Sequence, residues 1–123
     1  MKRGTAAYEA AQEAMAEILL ERARNGDRPI QYGELSKLLE EQGHNVPAHS
    51  VEMDLLLADV SRQESPDRKK AMLSAMVVFK DPNKREPGAG FYRLAREEFA
   101  RKGDNMTIWG KEMERLARDY RQG

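Results

Sequence analysis

Apolar residues return every three or four positions through the first part of the chain. Ala11, Ala14, Met15, Ile18, Leu19 and Ala23 share one side of a helical turn, and Glu9, Glu13, Glu17 and Glu21 share another. That period predicts an amphipathic helix from Ala6 to Arg24. Asn25-Gly26 supplies a left-handed stop, and Arg22 and Arg24 in the last turn suit the helix dipole. A short extended piece around Ile30 follows. Leu35, Leu38 and Leu39 then mark the inner side of a second helix, from Tyr32 or Gly33 to Gln42, closed at Gly43. Val51, Leu55, Leu56 and Val60 give a third helix, which starts near Pro47 or Ala48 and ends at Ser65-Pro66.

From Met72 to Ala95 the pattern changes. Leu73, Ala75, Val77 and Phe79 alternate with Ser74, Met76, Val78 and Lys80, and the Val-Val-Phe cluster favours a strand. "DPNKREPGAG" reads as a turn-rich connection. "FYRLA" (Phe91 to Ala95) reads as a short returning strand that runs into a helix, "REEFARKG". A closing helix from Asn105 to Arg121 carries Trp109, Met113, Leu116, Ala117 and Tyr120 on one side. No repeat and no linker divides the chain, so residues 1–123 form one expected domain. Residues 1–5 are a candidate disordered lead, and residues 104–121 a helix packed on the core.

Helix, short strand, helix, helix, strand, long loop, strand is the order of a winged helix. The expected fold class is therefore α+β and mainly helical. Three helices form a winged-helix-like core, with a small β-hairpin and one or two C-terminal helices. In such a fold the basic hairpin tip is the "wing", which commonly contacts phosphates.

Composition narrows the function. The chain has no cysteine, which excludes thiol catalysis, disulfides and thiolate-bound zinc. No apolar run approaches the roughly 20 residues of a membrane span, and glutamates interrupt the N-terminal stretch where a signal peptide would be apolar. A cytoplasmic protein without a membrane partner is the expectation. The formal net charge of zero is unevenly spread. Residues 1–66 hold 7 basic and 12 acidic residues, whereas residues 67–102 hold 10 basic and 5 acidic ones. The positive block coincides with the hairpin and its flanks, which is where a partner of negative charge would dock.

The candidate nucleic-acid contacts follow from that block: Lys80, Lys84 and Arg85 on the hairpin, and Arg68, Lys69 and Lys70 just before it. On the third helix Ser50, Arg62 and Gln63 are the useful donors, while Glu52, Asp54 and Asp59 would meet phosphates with like charge. Contact through phosphates with little sequence preference is expected. An alternative partner is protein, either a second copy or another chain. It would dock on the acidic third helix and the closing helix, where Trp109 and Tyr120 offer apolar surface. His44, His49 and Glu52 are the one set of ligand types close in sequence, and their spacing fixes no metal geometry. Ser74 lacks the context of a hydrolase nucleophile. Glu34 suits a helix's first turn. No catalytic residue, metal or cofactor is assigned.

Two resemblances rest on these residues. Tyr32-Gly33-Glu34-Leu35, the following helix, a strand and Gly90-Phe91-Tyr92 resemble the DNA-binding half of alkylguanine-DNA alkyltransferases over the span from Ala11 to Ala95. Members of that family carry a Tyr-Gly-Glu-Leu helix start, a recognition helix, a Pro-Cys-His-Arg strand and a Gly-Gly-Tyr return. Where their acceptor cysteine lies, this chain reads Leu73-Ser74-Ala75-Met76, so alkyl transfer is not implied. The third helix, "HSVEMDLLLADV", also lacks the family's base-extruding arginine. A stricter pattern, Tyr-x-Glu-Leu, Met-Leu-Ser-Ala-x-Val-Val, Lys-Asp and Pro-Gly-x-Gly-Phe-Tyr-x-Leu-Ala, is similar to uncharacterised bacterial and phage proteins from Tyr32 through Ala95. That likeness implies no agreed activity.

Overall fold

Thr5 starts the first helix, α1, which spans Ala6–Asn25: its side chain accepts a hydrogen bond from the Tyr8 N–H. At the other end Gly26 adopts φ 68°, and the Gly26 and Asp27 N–H groups return to the carbonyls of Ala23 and Arg22. Only a residue tolerant of the left-handed region makes that closure cheaply. Tyr8, Ala11, Met15 and Leu19 bury the inner side of α1. The computed structural model, a set of coordinates describing residues 1–122, then places β1 (Ile30–Gln31), α2 (Tyr32–Glu41) and α3 (Val51–Glu64) in the expected order. The third helix begins at Val51 rather than at Pro47 or Ala48, because Ser50 is its cap and accepts from the Met53 N–H. Ahead of α1, Arg3 pairs with Asp59 of α3 at 2.6 Å.

The stretch after α3 departs from the sequence expectation. Residues 71–78 are all buried, with no alternation of inside and outside. Leu73–Met76 form a 3-10 turn, and only Val77–Val78 are extended, as β2. β2 pairs with β1 in parallel, Ile30 opposite Val77 and Gln31 opposite Val78. No β-hairpin forms among the described residues, and the expected returning strand from Phe91 to Ala95 lies inside a helix, α4 (Ala89–Glu97).

Backbone hydrogen bonding explains the departure. A buried N–H or C=O needs a partner, and a strand normally finds it in a neighbouring strand. Here side chains supply it. The Ala71 N–H donates to Asp119 at 2.8 Å, the Met72 N–H to Glu112 at 2.8 Å, and the Ser74 N–H to Ser61 Oγ at 3.1 Å. The Trp109 indole N–H donates to the Ala75 carbonyl at 3.0 Å. Three of those four partners lie on α5 (Asn105–Tyr120), the closing helix, which buries Ile108, Leu116 and Tyr120 against the core. The 3-10 turn thus runs through the middle of the molecule, packed between α1, α3 and α5.

α4 forms because Phe91, Tyr92, Leu94 and Ala95 are buried while Arg93, Arg96 and Glu97 are exposed, a helical rather than a strand rhythm. Its N-cap is Gly88, and it ends before Phe99, so "REEFARKG" is not a further helix. Among the described residues no helix is long and apolar enough to cross a membrane.

Candidate nucleic-acid interface

Three helices begin close together. The Tyr32 side chain, at the start of α2, accepts a hydrogen bond through its Oη from the N–H of Gly88, the N-cap of α4, at 2.9 Å. His49, one residue before the cap of α3, stands with its ring 5.6 Å from that of Tyr32 and 6.1 Å from that of Phe79. Tyr32 and Phe79 are themselves 5.3 Å apart. Tyr32 is buried and Phe79 half-buried, while His49 is exposed. Burial raises the Tyr32 phenol's pKa, though the Gly88 hydrogen bond opposes this. The group is therefore a neutral acceptor that fixes the entry of α4 against α2.

Residues 79–88 arch over this cluster. The Phe79 N–H donates to the Glu86 carbonyl at 3.0 Å, which closes the loop at its base. Within it Asp81 caps a 3-10 turn, Pro82–Lys84, by accepting from the Asn83 N–H. The loop is exposed from Lys80 to Arg85. Lys84 Nζ stands 5.3 Å from the Phe79 ring centroid, an attraction of ammonium for the ring face. Arg85 donates to the Lys80 carbonyl at 3.1 Å. The wing's charge is therefore present on an exposed loop, without the wing's paired strands.

A cleft of about 270 Å³ lies beside the loop, between the starts of α3 and α4. His49, Phe79, Gly88, Asp54, Gly90 and Arg93 are among the residues that line it. It continues into a groove of about 340 Å³ along α3 and α4, floored by Val51, Leu55 and Leu94. Tyr92, beneath the loop, donates its phenol proton to Glu86 at 2.9 Å. Burial, together with the Glu86 carboxylate, keeps that phenol protonated well above its ordinary range.

The residues named from sequence divide into separate groups. Lys80, Lys84 and Arg85 lie on the loop beside the cleft. Arg68, Lys69 and Lys70 do not join them. The Lys70 N–H donates to Ser65 Oγ at 3.0 Å, and Arg68 donates to the Ser65 carbonyl at 2.9 Å, both at the end of α3. His49 and Phe79 mark the start of α3, about 21 Å away for 14 residues at the helical rise. Arg68 also adopts φ 65° and sits over the Phe99 ring, so it closes a chain turn. Arg62 makes two hydrogen bonds to Glu98, at 2.8 and 2.6 Å, and one to Asp59. Ser50 serves as the helix cap, and Gln63 accepts from Gln12 at 2.7 Å. All three side chains are engaged in hydrogen bonds within the molecule, Ser50 and Gln63 here as acceptors. Of the acidic residues on α3, Asp59 is likewise occupied by Tyr8, Arg3 and Arg62. Among the described residues no three metal-binding side chains gather at His44, His49 and Glu52 or elsewhere.

Arg93 and Phe79 carry the cleft and were not singled out in sequence. Arg93 had a signal: it is the outward residue between the buried pairs Phe91-Tyr92 and Leu94-Ala95, visible once that stretch is read as helix. Asp54's access to the cleft had none, because it depends on the packing of α4 against α3. Comparison with protein-family models, with curated proteins and with solved structures finds no match for this chain.

Proposed function

We propose that this chain is a small, non-enzymatic nucleic-acid-binding module whose contact face is the 80–88 loop and the cleft beside it. Lys80, Lys84, Arg85 and Arg93 would meet phosphates, and the exposed His49 ring would lie against a base or sugar. The observation that carries this is an exposed loop bearing three cations, with Lys84 over the Phe79 ring, next to an open cleft lined by Arg93, Phe79 and His49. The likeness of Tyr32–Leu35 and Gly90–Tyr92 to the DNA-binding half of the alkyltransferases supports the same face. One element of the winged-helix idea survives in this proposal: a basic loop beside the third helix takes the role of the wing. The acidic third helix supports protein docking less well, because Asp59 is already neutralised by two arginines.

Fluorescence anisotropy with single-stranded and duplex DNA at two salt concentrations tests the proposal. Four single-strand phosphate contacts give a slope of log K on log salt of about −3, or about a 50-fold loss between 50 and 200 mM. Changing Lys80, Lys84, Arg85 and Arg93 together to Gln should remove most of the affinity and flatten that slope. Changing Lys69 and Lys70 to Gln, at the far end of α3, should leave affinity within about twofold, as for lysines that meet no phosphate. Equal losses from both sets would move the contact face away from the cleft.

A further inference from the structure

Asp54 is out of place in a face built to meet phosphates. Its carboxylate is exposed on the first turn of α3 and borders every hollow on this side of the molecule: the cleft, the groove and a small pocket of about 20 Å³ beside them. A negative dipole partner suits a helix start, but that role does not require the residue to face a cleft. Among the described residues its side chain has neither a hydrogen bond nor an ion pair, although Arg93 borders the same space. Asp59, one turn further on, is saturated by three donors. Gly90 leaves the approach open. A Cβ there would lie 4.0 Å from the Asp54 carboxyl carbon, and no side chain fills that space.

An ionised carboxylate only accepts hydrogen bonds, so a ligand that displaces the water on it must present a donor. Phosphates cannot. On a DNA strand the donors at a base edge are the exocyclic amines of cytosine, adenine and guanine, with the ring N–H of guanine and thymine added where the strand is unpaired. From this we infer that Asp54 is a specificity-determining residue, accepting a hydrogen bond from the exocyclic amine of a base while the surrounding cations hold the phosphates. The inference rests on the nucleic-acid reading above and adds composition preference to it. Cytosine is preferred to uracil, because uracil turns a carbonyl oxygen toward the carboxylate where cytosine turns an amine, and uracil's N3–H lies between two carbonyl oxygens that repel it.

Short oligo(dC) and oligo(dU) strands differ only on that edge, an amine beside a bare N3 in cytosine against a carbonyl beside an N3–H in uracil, and both lack the ribose hydroxyl. Their affinities are measured by anisotropy at mildly alkaline pH, where cytosine stays unprotonated. The wild-type chain should favour oligo(dC) by about tenfold, the scale of one good base-edge contact. Asp54→Ala should erase the preference mainly by strengthening oligo(dU) binding, since it removes a repulsion there and a hydrogen bond from oligo(dC). Asp54→Asn, whose amide can donate, should shift the preference toward oligo(dU). If wild type binds both strands equally with a steep salt dependence, the role of Asp54 is overturned and the phosphate face stands. Equal strengthening of both strands by Asp54→Ala overturns it too, since the carboxylate would then only repel. No binding of either strand at low salt overturns both the face and the preference.

Discussion

Glu112 has no exposed surface, yet three groups converge on its carboxylate. Arg101 donates through Nε at 2.8 Å, Arg115 through Nη1 at 2.7 Å, and the buried Met72 N–H at 2.8 Å. Arg101 is itself mostly covered and reaches the carbonyls of Phe99 and Lys70. Such a buried pair adds little over a well-packed apolar pair, but losing one member strands the other. Glu112→Ala would leave Arg101 without its counter-charge and the Met72 N–H without an acceptor. The expected cost is about 3–5 kcal/mol, read as a shift of the urea midpoint. A cost under about 1 kcal/mol would mean that water replaces the carboxylate and that the 71–76 segment does not depend on it. Ser61 and Ser74 form a smaller version of the same device, with Oγ atoms 2.8 Å apart. They hold the far side of the 3-10 turn to α3.

At the scale of elements, α4 is where sequence and structure part. Gly88-Ala89-Gly90 looks like a turn, and Phe91 to Ala95 holds too few residues to separate a strand from a helix by apolar content. Tertiary packing decides: Phe91 and Tyr92 meet edge to face at 5.1 Å, and Leu94 and Ala95 complete the buried side. The two outer glycines behave differently. A Cβ on Gly88 would lie 3.1 Å from Tyr32 Oη, so a side chain there would require Tyr32 to give by a few tenths of an ångström. Gly90→Ala meets only ordinary contact and removes a flexible residue from a helix. It should stabilise the fold by about 0.5 kcal/mol. The added methyl also narrows the approach to Asp54, so affinity for oligo(dC) should fall while thermal stability rises. Unchanged affinity would show that the ligand does not pass Gly90. α1, α2, α3 and α5 were legible because each is long enough to repeat its apolar period, whereas the Ser50 cap that sets the start of α3 was passed over. The 72–79 stretch was not legible. The side chains that partner the backbone of Ala75, Met72 and the adjoining Ala71, those of Trp109, Glu112 and Asp119, lie 34 to 48 residues further along and leave no local trace. The basic loop of the candidate site was legible from charge, whereas its separation from Lys69 and Lys70 depends on the length of α3.

For the whole molecule, arginine–carboxylate pairs join elements that the hydrophobic core alone leaves loosely held at their edges. Arg3 ties the start of the chain to α3, and Arg62 ties α3 to the end of α4. Burial tends to raise the Asp59 carboxyl, but hydrogen bonds from Tyr8, Arg3 and Arg62 outweigh it and hold the group below its ordinary value. The Arg118 hydrogen bond, against some burial, does the same for Asp119, which also receives the Ala71 N–H. A carboxyl whose pKa is lower in the folded chain favours folding fully above its unfolded pKa, near 4. That contribution disappears as pH falls through the lower folded value. Phenols act at the other end. Burial pushes Tyr120 up to about 12, with the charges of Glu64 and Asp119 adding to the shift. Stability from such a group is full below the unfolded pKa near 10 and is lost as pH rises through the folded one. The urea midpoint should therefore be nearly level through neutral pH and fall on both sides. The acid fall should begin just below pH 4 and be softened by salt, because the pairs are partly exposed and screened. Asp59→Asn should lower the neutral plateau and flatten the acid limb, whereas Tyr120→Phe should flatten only the alkaline one. An acid limb unchanged by Asp59→Asn would transfer the acid sensitivity to Asp119 and the α5 attachment.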